Sequence, residues 1–212
     1  MSSYLVKKTL VGSARFFSAV LSPLLMPSYG ALIVLWGSVL CLLDAGTRAA
    51  VLTMVVGITC VLPVMAIGAL HHFRLIRDKR LERREDRHLP YAFAVVCYLG
   101  ALFYLRHIHS PAWFVSFMGG VALTVALTLV INRWWKISAH CAGIGGVVAL
   151  IYQLHVQGLS AFNLFWLLCV TILLSGVLGT SRMVLKRHDV PQVLAGFALG
   201  YGAVTLVMTL FG

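Results

Sequence analysis

The sequence predicts an all-α fold, a polytopic bundle of about seven transmembrane helices. Two observations lead to this prediction. The 212 residues are 60% hydrophobic and only 11% charged, which lies outside the range of ordinary soluble domains. The apolar residues are gathered into long stretches, and in hydrocarbon the backbone polar groups must be satisfied within each segment, which a helix achieves. No alternating pattern of ~10 residues indicates a membrane barrel.

Seven apolar stretches follow one another along the chain. They cover residues 16–43, 49–70, 89–108, 111–132, 138–157, 160–181 and 190–211. They leave no room for a soluble domain, so residues 1–212 are expected to form a single transmembrane domain.

The first stretch is the least regular of the seven. It carries Pro23 and Pro27, so a kink, a steep tilt or a partly interfacial start all fit it, and the number of spans is six to seven. It is too long for a signal peptide and lacks a clear small-x-small cleavage site, so we expect it to remain in the mature protein.

The positive charge is concentrated on one side of the predicted membrane. If all seven stretches span, the N-terminus and the loops at 71–88, 133–137 and 182–189 share one face. That face holds 15 of the 17 Lys and Arg residues, and the other face holds Arg48 and Arg106. The positive-inside rule places the basic face in the cytoplasm. We expect a multi-pass integral membrane protein, with a bacterial inner membrane as its location.

The polar segment from His71 to Pro90 contains a pattern of arginines. Arg77, Arg80, Arg84 and Arg87 recur at steps of three, four and three, which predicts one face of a short helix. The other cations of the segment have carboxylates three or four residues away, whereas this stripe has none. It therefore favours an external anion, and guanidinium groups match phosphate oxygens. The alternative is an interfacial helix that rests on anionic lipid headgroups.

A second polar cluster precedes the fifth apolar stretch. Ser138 is a candidate N-cap, and a helix start favours phosphate through its free N–H groups and positive dipole end. His140, in the first turn, is placed to protonate a leaving oxygen. The alternative is an aromatic belt around Trp134 and Trp135, with His140 as an ordinary polar residue.

A third cluster opens the last stretch. His188 and Gln192 are four residues apart and share a helical face if the helix begins before His188, so Gln192 is a candidate to orient the imidazole ring. Pro191 fits best within the first turn, which supports a helix start nearby. The alternative treats Arg182 and its neighbours as ordinary membrane-flanking cations.

The remaining small and sulfur-containing residues indicate packing. The pairs Gly143/Gly146, Gly176/Gly179 and Gly196/Gly200 predict close helix contacts. The five cysteines form no close-spaced cluster, and no His/Cys/carboxylate group has zinc-site spacing. We therefore expect no metal and no other cofactor.

Taken together, the three polar clusters resemble the motifs of the type-2 phosphatidic acid phosphatase (PAP2-like) membrane phosphatase family. That family carries Lys-x6-Arg-Pro, Pro-Ser-Gly-His and Ser-Arg-x5-His-x3-Asp at one membrane face. The corresponding segments here are Arg80-x6-Arg87 with the proline delayed to Pro90, Ile137-Ser138-Ala139-His140, and Ser181-Arg182-x5-His188-x3-Gln192. The resemblance covers roughly residues 71–200, and its third motif is the most specific.

The resemblance implies roles for the residues of each motif. His188 would be the nucleophile that accepts the phosphoryl group, and His140 would protonate the leaving alkoxide. The groups that would hold the phosphate oxygens are Arg80, Arg87, Arg182 and Ser138, with Arg84 able to replace either neighbour in the first motif.

The chain departs from the family pattern at three places. Arg80 stands for the lysine, and Ile137 and Ala139 replace a proline and a glycine beside the phosphate. Gln192 stands for the aspartate, and a neutral amide can orient His188 but stabilises its cationic form less than a carboxylate does.

The sequence therefore predicts an integral membrane lipid phosphatase that hydrolyses a phosphomonoester or diphosphate through a phosphohistidine intermediate, without a metal. Its partners would be a phosphorylated lipid substrate and the surrounding membrane lipids. Phosphatidate, phosphatidylglycerophosphate, polyprenyl diphosphate and a lipid A phosphate all present the same terminal group. The alternatives are a non-catalytic relative that binds phospholipid or scaffolds a complex, which Gln192 favours, and a small transporter. The +11 charge lies at helix ends, which argues against nucleic acid.

Overall fold

The computed structural model of the protein describes residues 2–78, 81 and 83–212, with side chains from residue 8 onward. Eight helices longer than ten residues follow one another in these ranges, and the predicted all-α fold is confirmed. They are α1 (Ser2–Val20), α2 (Met26–Gly37), α3 (Ala45–His72, with a π turn at Gly57–Val61), α4 (His88–His107), α5 (Ala112–Ile131), α6 (Ala139–Val156), α7 (Phe165–Val184) and α8 (Val190–Phe211).

Six of these helices are long and apolar enough to cross a membrane. They are α3 to α8, where α4 is extended at its start by a 3-10 turn at Glu85–Arg87. Helix α2 is apolar but has only 12 residues. The protein is therefore a multi-pass membrane protein, and its six helices of spanning length agree with the predicted six to seven spans.

The first apolar stretch, residues 16–43, does not form one continuous helix. Helix α1 ends at Val20, the chain turns through residues 21–25, and α2 begins at Met26. Pro23 explains the break, because it lacks an N–H group and its ring clashes with the preceding helical turn. Pro27 sits in the first turn of α2, where no N–H is needed. The first stretch is thus divided into two helices, a larger change of path than the kink that the sequence allowed.

Helix α2 nevertheless carries the chain across the bundle. At its start, Met26 packs against Gly143 near the beginning of α6. At its end, Gly37 accepts a hydrogen bond from the backbone N–H of Ala161, beyond the end of α6, at 3.0 Å. Helix α2 thus runs in the same direction as α6 and reaches the opposite end.

Helix α6 occupies the centre of the bundle, and two-thirds (67%) of its residues are buried. It packs most extensively against α8. Glycines allow this close contact: a side chain at Gly196 would collide with the carbonyl of Ser138, and one at Gly200 with that of Ala142. The predicted packing role is confirmed for Gly196 and Gly200, whereas Gly176 faces open space.

The connections α3–α4, α5–α6 and α7–α8 meet at one end of the bundle. The Arg84 Nη1 atom donates a hydrogen bond to the carbonyl of Trp134 at 2.9 Å, which joins the first connection to the second. The backbone N–H of Ser138 donates to the carbonyl of Gln192 at 3.2 Å, which joins the second to the third. The polar clusters of the sequence are therefore gathered at a single end.

Candidate active site

The turn between α7 and α8 places His188 at the centre of the polar end. Helix α7 ends at Val184, and Lys186 just beyond it has a left-handed conformation (φ 53°). The N–H of Arg187 donates to the carbonyl of Arg182 at 3.0 Å. This pattern of backbone bonds ends a helix and reverses the chain. His188 follows two residues later, ahead of α8.

His188 and Gln192 are joined by a hydrogen bond, with 2.9 Å between Nδ1 and Oε1. The condition for a shared helical face is not met, because α8 begins only at Val190, after an extended Asp189 (φ −93°, ψ 175°). The extended backbone directs the imidazole ring back toward the first turn of the helix, where Gln192 lies. Pro191 occupies that first turn, as predicted.

The His188 ring is buried, with 7% of its surface exposed. Its pKa is lowered from 6.5 to about 4, mainly by burial and also by the charges of Arg87, Arg182 and Lys136, while the bond to Gln192 opposes this shift. The ring is therefore neutral at pH 7, the form in which an imidazole nitrogen can act as a nucleophile.

Two arginines near His188 have buried nitrogen atoms without a hydrogen-bond partner. Arg87 is 5% exposed; its Nε donates to the carbonyl of Leu81 at 2.8 Å, but its Nη1 has no acceptor. The Nε of Arg182 also has none. An unsatisfied buried donor costs about 1–3 kcal/mol, and more when it is charged. An anion bound between these groups would accept their hydrogen bonds.

The predicted helical stripe of arginines does not form in the described residues. Residues 73–77 follow turns and bends, and in the described part of this segment only Glu85–Arg87 make a single 3-10 turn before α4. Left-handed backbone at Arg74 (φ 59°) and Leu81 (φ 52°) interrupts any helix. Arg77 is exposed while Arg87 is buried, so they do not share a face.

The other two arginines of the predicted stripe are Arg84, which the structure describes, and Arg80, which it does not. The Nη1 of Arg84 is bonded to the Trp134 carbonyl, so that nitrogen links two loops. Arg80 lies outside the described residues, and its assigned role stays a prediction.

Ser138 and His140, at the start of α6, lie beside the cluster formed by His188, Arg87 and Arg182. Ser138 is fully buried, and its Oγ accepts a hydrogen bond from the N–H of Cys141 at 3.4 Å, which confirms it as the N-cap. The charges of Arg182 and Arg87 act on the His140 ring, and His140 and His188 also interact with each other. The two histidines and the two arginines therefore occupy one region.

Helix α1 supplies a hydrogen-bond partner for His140. The His140 Nε2 lies 3.2 Å from the carbonyl oxygen of Ser18. Because a carbonyl only accepts, Nε2 carries the proton and Nδ1 is left to exchange one. Ser18 is in the last turn of α1, where carbonyls lack intrahelical partners and the negative end of the helix dipole stabilises a cation. The break after Val20 thus leaves this carbonyl available.

Three residues of the site were not predicted from the sequence. Tyr91 interacts with Arg87 and Arg182, and the charge of Lys136 acts on His188. Asp189 contacts Gln192 through both carboxylate oxygens. Arg87 and Tyr91 are four residues apart, a spacing that makes them neighbours on a helix and could have predicted their contact. For Lys136 and Asp189 the signal was only their position beside the motifs.

A narrow apolar cavity opens beside the cluster. Its free volume is about 60 Å³, several times the 10–15 Å³ that one water needs on this measure. Tyr91 and Ala139 line it next to the cluster, and Val121 and Thr124 of α5 line it within the bundle. Pro23, in the break between α1 and α2, forms part of its wall. The interruption of the first stretch therefore contributes to this space.

The chain matches no protein-family model, no curated protein and no solved structure. In the described part of the chain, no group of three or more His, Cys, Asp or Glu side chains is arranged to hold a metal ion. The chemistry of the site is therefore inferred from its own geometry.

Proposed function

We propose that the protein is a lipid phosphatase that uses His188 as a nucleophile, in the manner of the type-2 phosphatidic acid phosphatases that its motifs resemble. One observation carries the proposal. A buried, neutral histidine, bonded at Nδ1 to Gln192, lies near two arginines with unsatisfied buried nitrogen atoms. Such an arrangement suits a tetrahedral anion that presents its phosphorus atom to the ring.

In the first step, Nε2 of His188 attacks the phosphorus atom of the lipid phosphate. The N–P bond forms and the P–O bond to the lipid alkoxide breaks. The alkoxide takes a proton from His140, whose protonated form is stabilised by the bound phosphate anion. Arg87 and Arg182 donate to the phosphoryl oxygens and offset the charge that develops on them. The dephosphorylated lipid leaves.

In the second step, water attacks the phosphorus atom of the phosphohistidine. His140, now neutral, accepts a proton from that water through Nδ1, the nitrogen that is not engaged with Ser18. The N–P bond breaks, its electron pair returns to His188, and inorganic phosphate is released. Both histidines are restored to their starting states.

The surroundings of the site favour a lipid over a soluble phosphate ester. The cluster lies at the end of a bundle of membrane-spanning helices, and the apolar cavity begins beside Tyr91 and Ala139. A hydrocarbon chain in this cavity would bury apolar surface while its phosphate meets Arg87 and Arg182.

The proposal is tested by measuring phosphate release from His188→Ala protein purified in detergent. We expect release to fall to background, while the size-exclusion profile stays that of the wild type. His155→Ala is a matched control, because His155 is exposed at the opposite end of α6. The substrates are phosphatidate, phosphatidylglycerophosphate, polyprenyl diphosphate and a lipid A phosphate. Undiminished release by the His188 variant would overturn the mechanism.

One observation favours a second function, the binding of phospholipid headgroups without turnover. Gln192 is a neutral amide where the resembled family has an aspartate, so it stabilises a cationic His188 less strongly. The same screen separates the two functions. A headgroup-binding protein would retain phosphatidate vesicles without releasing phosphate and without forming the acid-labile phosphohistidine that the proposed mechanism requires.

We also propose that the site faces the cytoplasm of a bacterial cell. The support is the excess of basic residues in the connections at the site end, since lysine and arginine near span ends favour retention on the cytoplasmic side. This placement would give the enzyme access to a lipid phosphate made on the inner leaflet.

A further inference from the structure

The carboxylate of Asp189 holds the Gln192 side chain from the side opposite His188. One oxygen, Oδ1, accepts the backbone N–H of Gln192 at 2.9 Å and caps α8. The other, Oδ2, lies 3.1 Å from Nε2 of the Gln192 side chain. The amide of Gln192 therefore bridges Asp189 and His188.

An ionised carboxylate accepts hydrogen bonds and cannot donate one, so the amide atom that faces Asp189 must be the NH₂ group. The amide oxygen then faces His188. An amide oxygen also only accepts, so the His188 nitrogen 2.9 Å away, Nδ1, must carry the proton of the neutral ring. The lone pair is left on Nε2. Each assignment follows from the acceptor character of a single carboxylate.

We propose that Asp189 is a positioning residue, which sets the orientation of the Gln192 amide and, through it, the tautomer of His188. Without this carboxylate the amide is free to rotate by 180°. In the rotated state its NH₂ group faces Nδ1, the proton of the ring moves to Nε2, and the nitrogen required for attack has no lone pair. The role of the tautomer in turnover rests on the proposed function, whereas the tautomer itself does not.

This arrangement gives a physical account of the departure at Gln192. In the resembled family the third motif places an aspartate at this position. Here the carboxylate lies three residues earlier, at Asp189. It accepts a hydrogen bond from the Gln192 amide, whose oxygen in turn accepts one from the His188 ring. An acidic group is therefore still connected to His188, through two hydrogen bonds that pass by way of Gln192.

Two substitutions of Asp189 separate this role from helix capping. Asp189→Ser keeps an N-cap, because serine caps about as well as aspartate, but it has no second oxygen for the amide. Asp189→Asn keeps the size and the capping oxygen, but its NH₂ group attracts the Gln192 oxygen and reverses the amide. The matched control is Asp44→Ser, since Asp44 caps α3 by accepting the Thr47 N–H at 2.7 Å and lies outside the site.

The readout is the tautomer of His188, measured by nitrogen-15 NMR of histidine-labelled protein at pH 7, with His188→Gln identifying the signal. We expect the proton on Nδ1 in the wild type and Asp44→Ser, a mixture in Asp189→Ser, and the proton on Nε2 in Asp189→Asn. A wild-type tautomer in Asp189→Asn would overturn the proposal. The shift supports it even if no lipid is hydrolysed, in which case the proposed function alone fails.

Activity provides a second readout if the wild type releases phosphate. A wrong tautomer lowers kcat by up to about 10⁴-fold in a catalytic triad, so we expect a loss of about 10²–10⁴-fold in Asp189→Asn, with little change in KM. Adding Gln192→Asp to Asp189→Asn places a carboxylate directly against Nδ1 and should restore most of kcat. Failure of this rescue, with the protein folded, would count against the proposed role.

Discussion

At the scale of single residues, the site depends on a histidine that stays uncharged among cations. Burial contributes most to the low pKa of His188, and the neighbouring arginines and Lys136 add to it. In the proposed mechanism the same cations would bind the phosphate of the substrate. The charges that would attract an anion therefore also keep the His188 ring deprotonated.

We predict that the His188 ring titrates near pH 4 in the folded protein, against 6.5 in an unfolded chain. Arg182→Gln should raise the midpoint, because it removes a nearby positive charge. NMR titration of the imidazole signals measures this, with His188→Gln as the assignment control. A midpoint at 6.5 in the wild type would contradict the environment described for the ring.

The lowered pKa of His188 also affects stability. Between about pH 6.5 and pH 4 the unfolded chain binds a proton at this position and the folded protein does not. The free energy of unfolding therefore decreases as the pH falls through this interval. Above about pH 6.5 neither state is protonated at His188, and this loss of stability is absent.

At the scale of helices, the interruption between α1 and α2 affects two parts of the site. It ends α1 where the carbonyl of Ser18 meets His140, and it contributes Pro23 to the wall of the apolar cavity. A continuous helix through these residues would use the Ser18 carbonyl in its own hydrogen bonding. The break at Pro23 thus affects both the hydrogen bonding of His140 and the shape of the cavity.

We predict that filling the cavity discriminates between long-chain and short-chain substrates. Val121→Phe, on the α5 wall, should lower phosphate release from a long-chain phosphatidate by at least about tenfold, the equivalent of 1.4 kcal/mol of lost binding. Release from a water-soluble phosphomonoester should change little, because such a substrate does not enter the cavity.

The matched control for this variant is Val130→Phe on the same helix, where the side chain is 47% exposed on the outer surface of the bundle. It adds the same volume away from the cavity and should leave both rates unchanged. An equal loss on both substrates in Val121→Phe would show instead that the substitution disturbs the site itself.

At the scale of the whole molecule, three connections from distant parts of the chain meet at one end. The hydrogen bonds Arg84–Trp134 and Ser138–Gln192 hold them together. Because these connections also carry most of the basic residues, the electrostatic asymmetry of the protein and the location of its site coincide. The site end is therefore the end for which the positive-inside rule predicts the cytoplasmic side.

We predict that single cysteines in a cysteine-free background will report this orientation. Arg83 is exposed at the site end and Ala161 at the opposite end. A membrane-impermeant maleimide applied to intact cells should label Ala161→Cys and spare Arg83→Cys until the membrane is permeabilised. Labelling of Arg83→Cys alone in intact cells would place the site on the outer side.

The sequence alone determined the features that depend on local composition. Six of the seven apolar stretches are spanning helices because hydrocarbon leaves no other state for such segments. Ser138 was identified as a cap and Pro191 as a first-turn residue, because these positions have strong local preferences. The pairing of His188 with Gln192 was also predicted, although the helix starts later than that prediction required.

Tertiary structure decided what depends on contacts between distant segments. The prediction of an arginine stripe was wrong because the connection between two antiparallel helices must reverse direction. Left-handed backbone at Arg74 and Leu81 interrupts the helix that the stripe would require. The meeting of Ser18 with His140, 122 positions apart, has no local signature. Neither has the burial of Arg87 near His188. Periodicity describes one element at a time, whereas burial and pKa are set by whichever elements pack together.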